Sequence, residues 1–546
     1  MSLACPLARW RRALAALAFG VLAAGAAPAA TPGTPAIPDL GPVAAAPMAS
    51  ALPAGWSRRG VFMEVLVRAY QDSDGDGVGD LAGLTRRLDY LQSLGVTGLW
   101  LMPVFESEDR DHGYAVKNYR AIEPDYGTLA DFDRLLAEAH KRGIAVIIDY
   151  VMNHAAAGHP LFESAYDSRK SPYTDWFIWA EDKPRGWNTF SGEPWREGNQ
   201  RWYYAVFDAG MPDFNLRNPK VVDFHLDNLR FWLNRGVDGF RFDAVGVLFE
   251  SSAAAWENQP ENHQLLKRVQ DLLASYGEKY LVCESPSDPA PFAAPDSCGS
   301  AFAFGLQKHI LSSAKLGRLR DDVLYSLRKM PVPRMATFLA NHDHFAGARL
   351  ARQFDGDEKG YRVAAATLLT LPGLPFLYYG EEIGLGQAPT VFNADQSLRG
   401  PMSWSGEPNA GFTTAAKPFR TNVANWQTHN VAAQDKDPAS LLNWYRGLIA
   451  LRNAEPALSQ GSFTSLSERD QPVFAFTREQ EGSRLLVLIN YARQPAQHAL
   501  PAAFKADDWA VVFPQGASSP FVAAKAGTPG ARVQLGAQQV LVLKAR

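Results

Sequence analysis

From about residue 60 onward the chain alternates short apolar runs with stretches whose apolar residues recur every three or four positions, the pattern of strands followed by amphipathic helices. VFMEVLV (61–67) precedes Leu81, Leu84, Leu88 and Leu91 at helical spacing, and TGLWLMP (97–103) precedes Phe132, Leu135, Leu136 and Ala139. IAVIIDY (144–150) is nearly unbroken and β-branched, which suits a strand covered on both faces. After this third strand the rhythm lapses over 155–217, a stretch rich in Trp, Tyr, Pro and Gly that reads as an inserted subdomain. It resumes with Val222, Leu226, Leu229 and Leu233 on one helix face, the run at 237–242, a helix around Leu265, Leu266, Val269 and Leu273, and runs at 280–284, 336–340 and 375–379. A weaker candidate at 300–304 brings the strands to eight. This is an α/β pattern, and it predicts a parallel (β/α)8 TIM barrel in two parts, 56–154 and 218–457. Past a helix around Leu441, Leu448 and Leu451, the runs VFAFT (473–477), LLVLIN (485–490), WAVVF (509–513) and VLVLK (540–544) follow one another without helices. They predict a C-terminal antiparallel β-sandwich over 458–546.

The start of the chain follows another rule. Arg9, Arg11 and Arg12 precede an apolar run from Ala13 to Ala27 and then Ala27-Pro28-Ala29, the charged, apolar and small-residue order of a secretory signal peptide over 1–30. Export to the periplasm or the medium is therefore expected, with no membrane span left after cleavage. Residues 31–55 hold six prolines among Ala, Gly and Thr and are expected to be an extended, poorly ordered linker. Loss of the signal would remove Cys5 and leave Cys283 and Cys298, either paired in one disulfide or with Cys283 a buried thiol, and too few for a cysteine metal site. Lys and Arg number 54 against 57 Asp and Glu, so neither nucleic acid nor a strongly charged substrate is indicated.

Polar residues just past barrel strands gather at one face. Here they are Asp149, Asn153 and His154; Arg241 and Asp243; Glu284; and Asn341, His342 and Asp343. Arg241 and Asp243 stand two positions apart, so in a strand both side chains point the same way and the guanidinium can hold the carboxylate ionised. Carboxylates at matching strand ends suit the nucleophile and proton donor of a retaining glycosidase. A second group, DSDGDGVGD (72–80), sets Asp72, Asp74, Asp76, the Val78 carbonyl and Asp80 at the alternating positions by which a loop wraps Ca2+, with Gly77 permitting the turn. The final Glu of an EF-hand is absent, since Gly83 stands there.

DYVMNH (149–154), GFRFDAV (239–245), the Glu of VCES (282–285) and FLANHD (338–343) resemble, in order, the four motifs of the α-amylase family of glycoside hydrolases. MPDFN (211–215) resembles an additional motif of that family, between its oligo-1,6-glucosidase and neopullulanase forms. The resemblance implies Asp243 as nucleophile, Glu284 as general acid/base, in a drier setting than Asp243, and Asp343 as transition-state stabiliser. Arg241 would orient Asp243, His154 and His342 would bind sugar hydroxyls, and Tyr114 would lie under the ring being cleaved. Asp111 and Arg399 resemble the pair that closes the pocket in exo-acting relatives, and residues 72–80 resemble a structural calcium loop. Gly246-Val247 stand where many endo-acting members carry Lys-His, and Asn153 matches a ligand of another calcium site whose His partner is missing. The expectation is an exported, monomeric α-amylase-type hydrolase of α-1,4-linked glucans or maltooligosaccharides. Exo-acting α-glucosidase or oligo-1,6-glucosidase activity is the nearest alternative, followed by a trehalose synthase-like transglycosylase. A catalytically inactive carbohydrate-binding relative would lack an acid, and all three are present.

Overall fold

The computed structural model describes residues 37–389, 394–522 and 531–546; the expected signal peptide, 1–30, lies outside the described residues. Seven parallel strands form the central sheet: β1 (Phe62–Val65), β2 (Gly98–Leu101), β3 (Ala145–Tyr150), β4 (Gly239–Phe242), β5 (Tyr280–Cys283), β6 (Ala336–Thr337) and β7 (Leu374–Tyr378). Their order is β5-β4-β3-β2-β1-β7-β6. The gap between β5 and β6 is spanned by the weak 300–304 candidate, through parallel bridges Cys283–Ala301 and Phe302–Ala336. The eighth position is thus filled by two bridges rather than a full strand, and the sheet closes as the (β/α)8 barrel.

The two-residue period of the strands sorts the barrel interior into layers. Phe62 is in register with Gly98 on one side and Phe376 on the other, and a Cβ at Gly98 would come within 2.4 Å of the Phe62 ring. Phe62, Trp100, Ile147, Val282, Phe302 and Phe376 fill this apolar layer. Two positions beyond Phe62 and Ile147 come Glu64 and Asp149, and Asp149 pairs with Arg241, so the layer at the C-terminal end of the strands is polar. The hydrophobic plug beneath keeps water from reaching that layer from below.

At the other end of the barrel the expected linker takes part in the fold. Residues 39–55 carry no helix or strand, as an extended segment should, yet they are not a free tether. Val43 N–H donates to Asp227, Ala46 N–H to Asn234 and Gly55 N–H to Glu278. Leu52 and Trp56 join the apolar cluster of the barrel interior.

Within 155–217 the chain forms a short helix, Pro160–Asp167, and a three-stranded antiparallel sheet of Trp179–Ala180, Arg201–Tyr204 and Trp195–Gly198. After the barrel, antiparallel sheets of five and three strands make the C-terminal sandwich, and all four runs expected there lie within observed strands. Fully buried Arg478, on the sandwich strand Val473–Gln480, fastens it to the barrel by donating to the Thr370 carbonyl, while fully buried Arg452, on the barrel's own helix Leu441–Ala454, donates to those of Leu369, Leu371 and Gly373. They satisfy carbonyl groups left open at the end of the helix Glu358–Thr370, where a cation also suits the helix dipole. No helix among the described residues is long and apolar enough to cross a membrane.

Cys283 and Cys298 are joined in a disulfide across a sequence separation of 15. The bridge ties the end of β5, immediately before Glu284, to the loop that follows. Removing the bridge, by Cys298→Ser or by reductant, is expected to lower unfolding stability by about 3 kcal/mol on loop-closure grounds. The denaturant midpoint with and without reductant measures it, and Cys298→Ser should no longer respond to reductant.

Candidate active site

The polar layer is organised by Arg241, a guanidinium 1% exposed. Its Nη1 lies 2.9 Å from Asp149 and 2.7 Å from Asp243, and its Nη2 lies 2.9 Å from Glu284. The residues come from the ends of β3, β4 and β5, and strand register sets Arg241 beside Asp149 and Val282. Asp149 also accepts from Trp100 Nε1 at 3.1 Å and from the Tyr114 hydroxyl at 2.9 Å.

His342 closes the far side. Its Nδ1 is 2.5 Å from Glu64, and its Nε2 is 2.9 Å from the Tyr114 hydroxyl and 3.2 Å from Asp343. Burial drives Glu64 well above and His342 well below their ordinary values, with Arg399 and Arg241 lowering the histidine further. Both shifts favour the uncharged forms, in which Glu64 donates to Nδ1 and Nε2–H to Tyr114, whose hydroxyl donates to Asp149.

The contact between Asp243 and Glu284 raises Glu284 and lowers Asp243, which favours the proton on Glu284. Burial, opposed by Arg241 and reinforced by the Asp243 charge, lifts Glu284 to about 7. Burial raises Asp243 too, against the pull of Arg241. Asp343 is lifted to about 7 by burial and by the Glu284 charge, with Arg399 opposing. Both acids are nearly dry, the side chain of Glu284 being 8% exposed and that of Asp243 10%, a small difference in the expected direction. Carboxyls close enough to share a proton leave no room for the water that an inverting pair holds between them.

Asp111 and Arg399 meet, at 3.4 Å, and Arg399 also reaches Asp343 at 3.3 Å. Arg420 binds the other Asp111 oxygen at 2.7 Å. His154 is buried beside Phe207, its Nε2 without a protein partner, and burial lowers it to about 4. The Asp213 of MPDFN bridges to His154 and accepts from Asn153 at 3.0 Å, so the end of the insertion docks on the end of β3. Asn153 thus helps join the insertion to the barrel.

In the 72–80 loop, oxygens of Asp72, Asp74 and Asp80 lie within 4.8 Å of one another. Asp76 is outside that group of carboxylates; it accepts the Val78 N–H. Among the described residues no Lys or Arg pairs with these three acids, and an all-oxygen set of like charges suits a hard cation such as Ca2+. Thr413 donates to Asp72, so the loop around 412–419 packs over the site.

Sequence reasoning missed Glu64, Trp100 and Arg420 as site residues and left Asp149 without a role. A lone acid inside the apolar run VFMEVLV was a usable signal for Glu64; Arg420 carries none, because only the folded loop brings it to Asp111.

A parallel barrel whose C-terminal face sets three carboxylates around a buried arginine defines a barrel glycosidase. The α-amylase catalytic-domain model matches residues 64–461, and the chain belongs to that family. It is 35% identical over 509 residues to the trehalose synthase/amylase TreS of Mycobacterium tuberculosis, covering 82% of this chain and 84% of that one. It is 35% identical over 453 residues to α-amylase 3 of Dictyoglomus thermophilum, covering 80% and 86%. The solved α-glucosyl transfer enzyme XgtA superposes with a TM-score of 0.78 at 31% identity, over 90% of this chain and 99% of that one. The chain is thus an α-amylase-family glycoside hydrolase or transglycosylase acting on α-glucosidic bonds.

Glu284 yields a pH prediction. Between its ordinary 4.5 and about 7, the folded protein holds a proton that the unfolded chain has released. Its contribution to stability is therefore full below about pH 4.5 and is lost as pH rises through about 7. The thermal midpoint of the wild type should fall more steeply over this window than that of Glu284→Gln, at up to about 1.4 kcal/mol per pH unit for one proton. Parallel profiles would remove Glu284 as the titrating group.

Proposed function

We propose that this protein is a retaining enzyme that takes single glucosyl units from the non-reducing end of short α-glucosides and passes them to water or to another sugar. The observation that carries this reading is the Asp111–Arg399–Arg420 cluster and its contact with Asp343. A buried, charge-paired wall beside one of the three acids favours a pocket holding one terminal ring over a cleft open at both ends. Internal cleavage of starch, the first expectation from the motifs, needs the open cleft.

In the proposed cycle Asp243 attacks the anomeric carbon while Glu284 gives its proton to the departing oxygen. Water or a sugar hydroxyl then attacks the same carbon, Glu284 takes up its proton, and the bond to Asp243 breaks. Asp343 would bind ring hydroxyls and stabilise the positive charge that develops on the sugar; Arg241 would hold both acids in place. His154 and His342 would bind sugar hydroxyls, and Tyr114, fixed by Asp149 and His342, would lie under the ring.

We also propose that Asp72, Asp74 and Asp80 bind Ca2+ as a structural ion, away from the reacting carboxylates. Export is proposed as well, supported by the order of charged, apolar and small residues in 1–30 and by the Cys283–Cys298 bridge, since disulfides persist in oxidising compartments.

Two outcomes are expected. Maltoheptaose should release glucose from the earliest times, as its α-anomer, and Asp243→Ala should lower kcat at least about a thousandfold. Mixed short maltooligosaccharides at early times would return the internal-cutting reading, and trehalose from maltose would make isomerisation the main activity. A chelator should lower the thermal midpoint of the wild type, added Ca2+ should restore it, and Asp72→Asn should respond to neither.

A further inference from the structure

Glu64 is a lone acid inside an apolar strand, and no step of the proposed cycle uses it. It lies on β1 in register with Trp100 on one side and Tyr378 on the other, and it is 2% exposed. Among the described residues its one ion-pair contact is His342, whose Nδ1 stands 2.5 Å away. Two cations, Arg241 and Arg349, and two acids, Asp149 and Asp343, act on it from further off, and Tyr378 and Tyr379 lie near it.

The surroundings of His342 make this contact consequential. Each ring nitrogen faces a carboxyl oxygen, Nδ1 that of Glu64 and Nε2 that of Asp343 at 3.2 Å. A neutral imidazole has one N–H, and its other nitrogen, a lone-pair acceptor, is repelled by a carboxylate. Burial and the nearby Arg399, Arg241 and His112 all oppose a charged ring. One of the two carboxyls must therefore keep a proton. Arg399 pairs with Asp343 at 3.3 Å, whereas among the described residues no Lys or Arg pairs with Glu64, so the proton belongs to Glu64. Tyr114 imposes the same choice: its hydroxyl donates to Asp149 and presents its oxygen to Nε2 at 2.9 Å, where a hydrogen on Nε2 meets it.

We propose that Glu64 is a positioning residue of the reaction: its proton, given to Nδ1 of His342, keeps the Nε2 hydrogen aimed at Tyr114, Asp343 and a hydroxyl of the bound sugar. The inference rests on the proposed glucosyl-transfer reading, in which His342 binds such a hydroxyl. When Glu64 loses its proton to solvent, His342 must carry its hydrogen on Nδ1, and Nε2 becomes an acceptor. The Tyr114 hydroxyl then turns from Asp149 to Nε2, and Asp343 faces a bare lone pair. One proton on β1 thus orients three groups around the reacting ring, acting only through His342. A glutamine can replace it, because an amide N–H donates to Nδ1 at any pH; a hydrocarbon cannot.

The test uses α-glucosyl fluoride, whose fluoride departs without a proton, so Glu284 does not shape the alkaline side of kcat/KM. Wild-type kcat/KM should fall at alkaline pH as Glu64 ionises. Glu64→Gln should keep the neutral-pH value to within about threefold and lose that fall. Glu64→Leu, which leaves Nδ1 without a partner, should lower kcat/KM about tenfold, the worth of one hydrogen bond. An alkaline fall shared by Glu64→Gln, a flat wild-type profile, or a leucine variant as active as the wild type would overturn the inference; if the leucine variant does not fold, the glutamine profile decides alone. A wild type that leaves α-glucosyl fluoride intact would instead overturn the proposed function on which it rests.

Discussion

Three carboxylates share one buried guanidinium, and the rest of the site depends on that arrangement. Asp149, Asp243 and Glu284 surround Arg241 within 2.9 Å, in a layer that is almost fully dry. Unpaired, any of these charges would be strongly destabilising in such surroundings. With one cation for three acids, the cluster cannot hold all of them ionised, so one must keep a proton. Burial and the Asp243 charge raise Glu284, while Arg241 pulls both acids down, and the two chemically similar carboxyls are pushed toward acid and base roles. Fixed donors from Trp100 and Tyr114 keep Asp149 turned toward Arg241 and leave Asp243 and Glu284 facing outward.

On one side of this cluster Arg399 and Arg420 bind Asp111, and Arg399 also reaches Asp343, forming a buried, charge-paired wall. The barrel supplies rigid strand ends, while the loops that extend from them supply the distinctions among substrates.

Order is conveyed to the site from several places remote from it. The disulfide holds the loop after β5, the insertion docks its MPDFN segment on the end of β3, and Arg478 binds the C-terminal sandwich to the end of the barrel helix Glu358–Thr370. The segment 39–55 packs Leu52 and, with the turn after it, Trp56 into the base of the barrel. Each of these contacts joins parts of the chain that are far apart in sequence.

The sequence by itself determined the barrel, because strand and helix periods are local properties that a reader can count. It also placed Asp243, Glu284 and Asp343 at one face, since polar residues at strand ends must emerge there. The loop acids Asp72, Asp74 and Asp80 were legible for the same reason: their spacing is short enough to be geometry. What only the tertiary structure decided depends on long-range packing. Glu64 and Trp100 enter the site through strand register, and Arg420 through a loop that returns to Asp111. The linker reading failed for residues 39–55 because composition describes how a segment behaves alone, whereas the barrel surface offered it partners. The role of Glu284 as the acid came from the family resemblance and not from any local period or spacing.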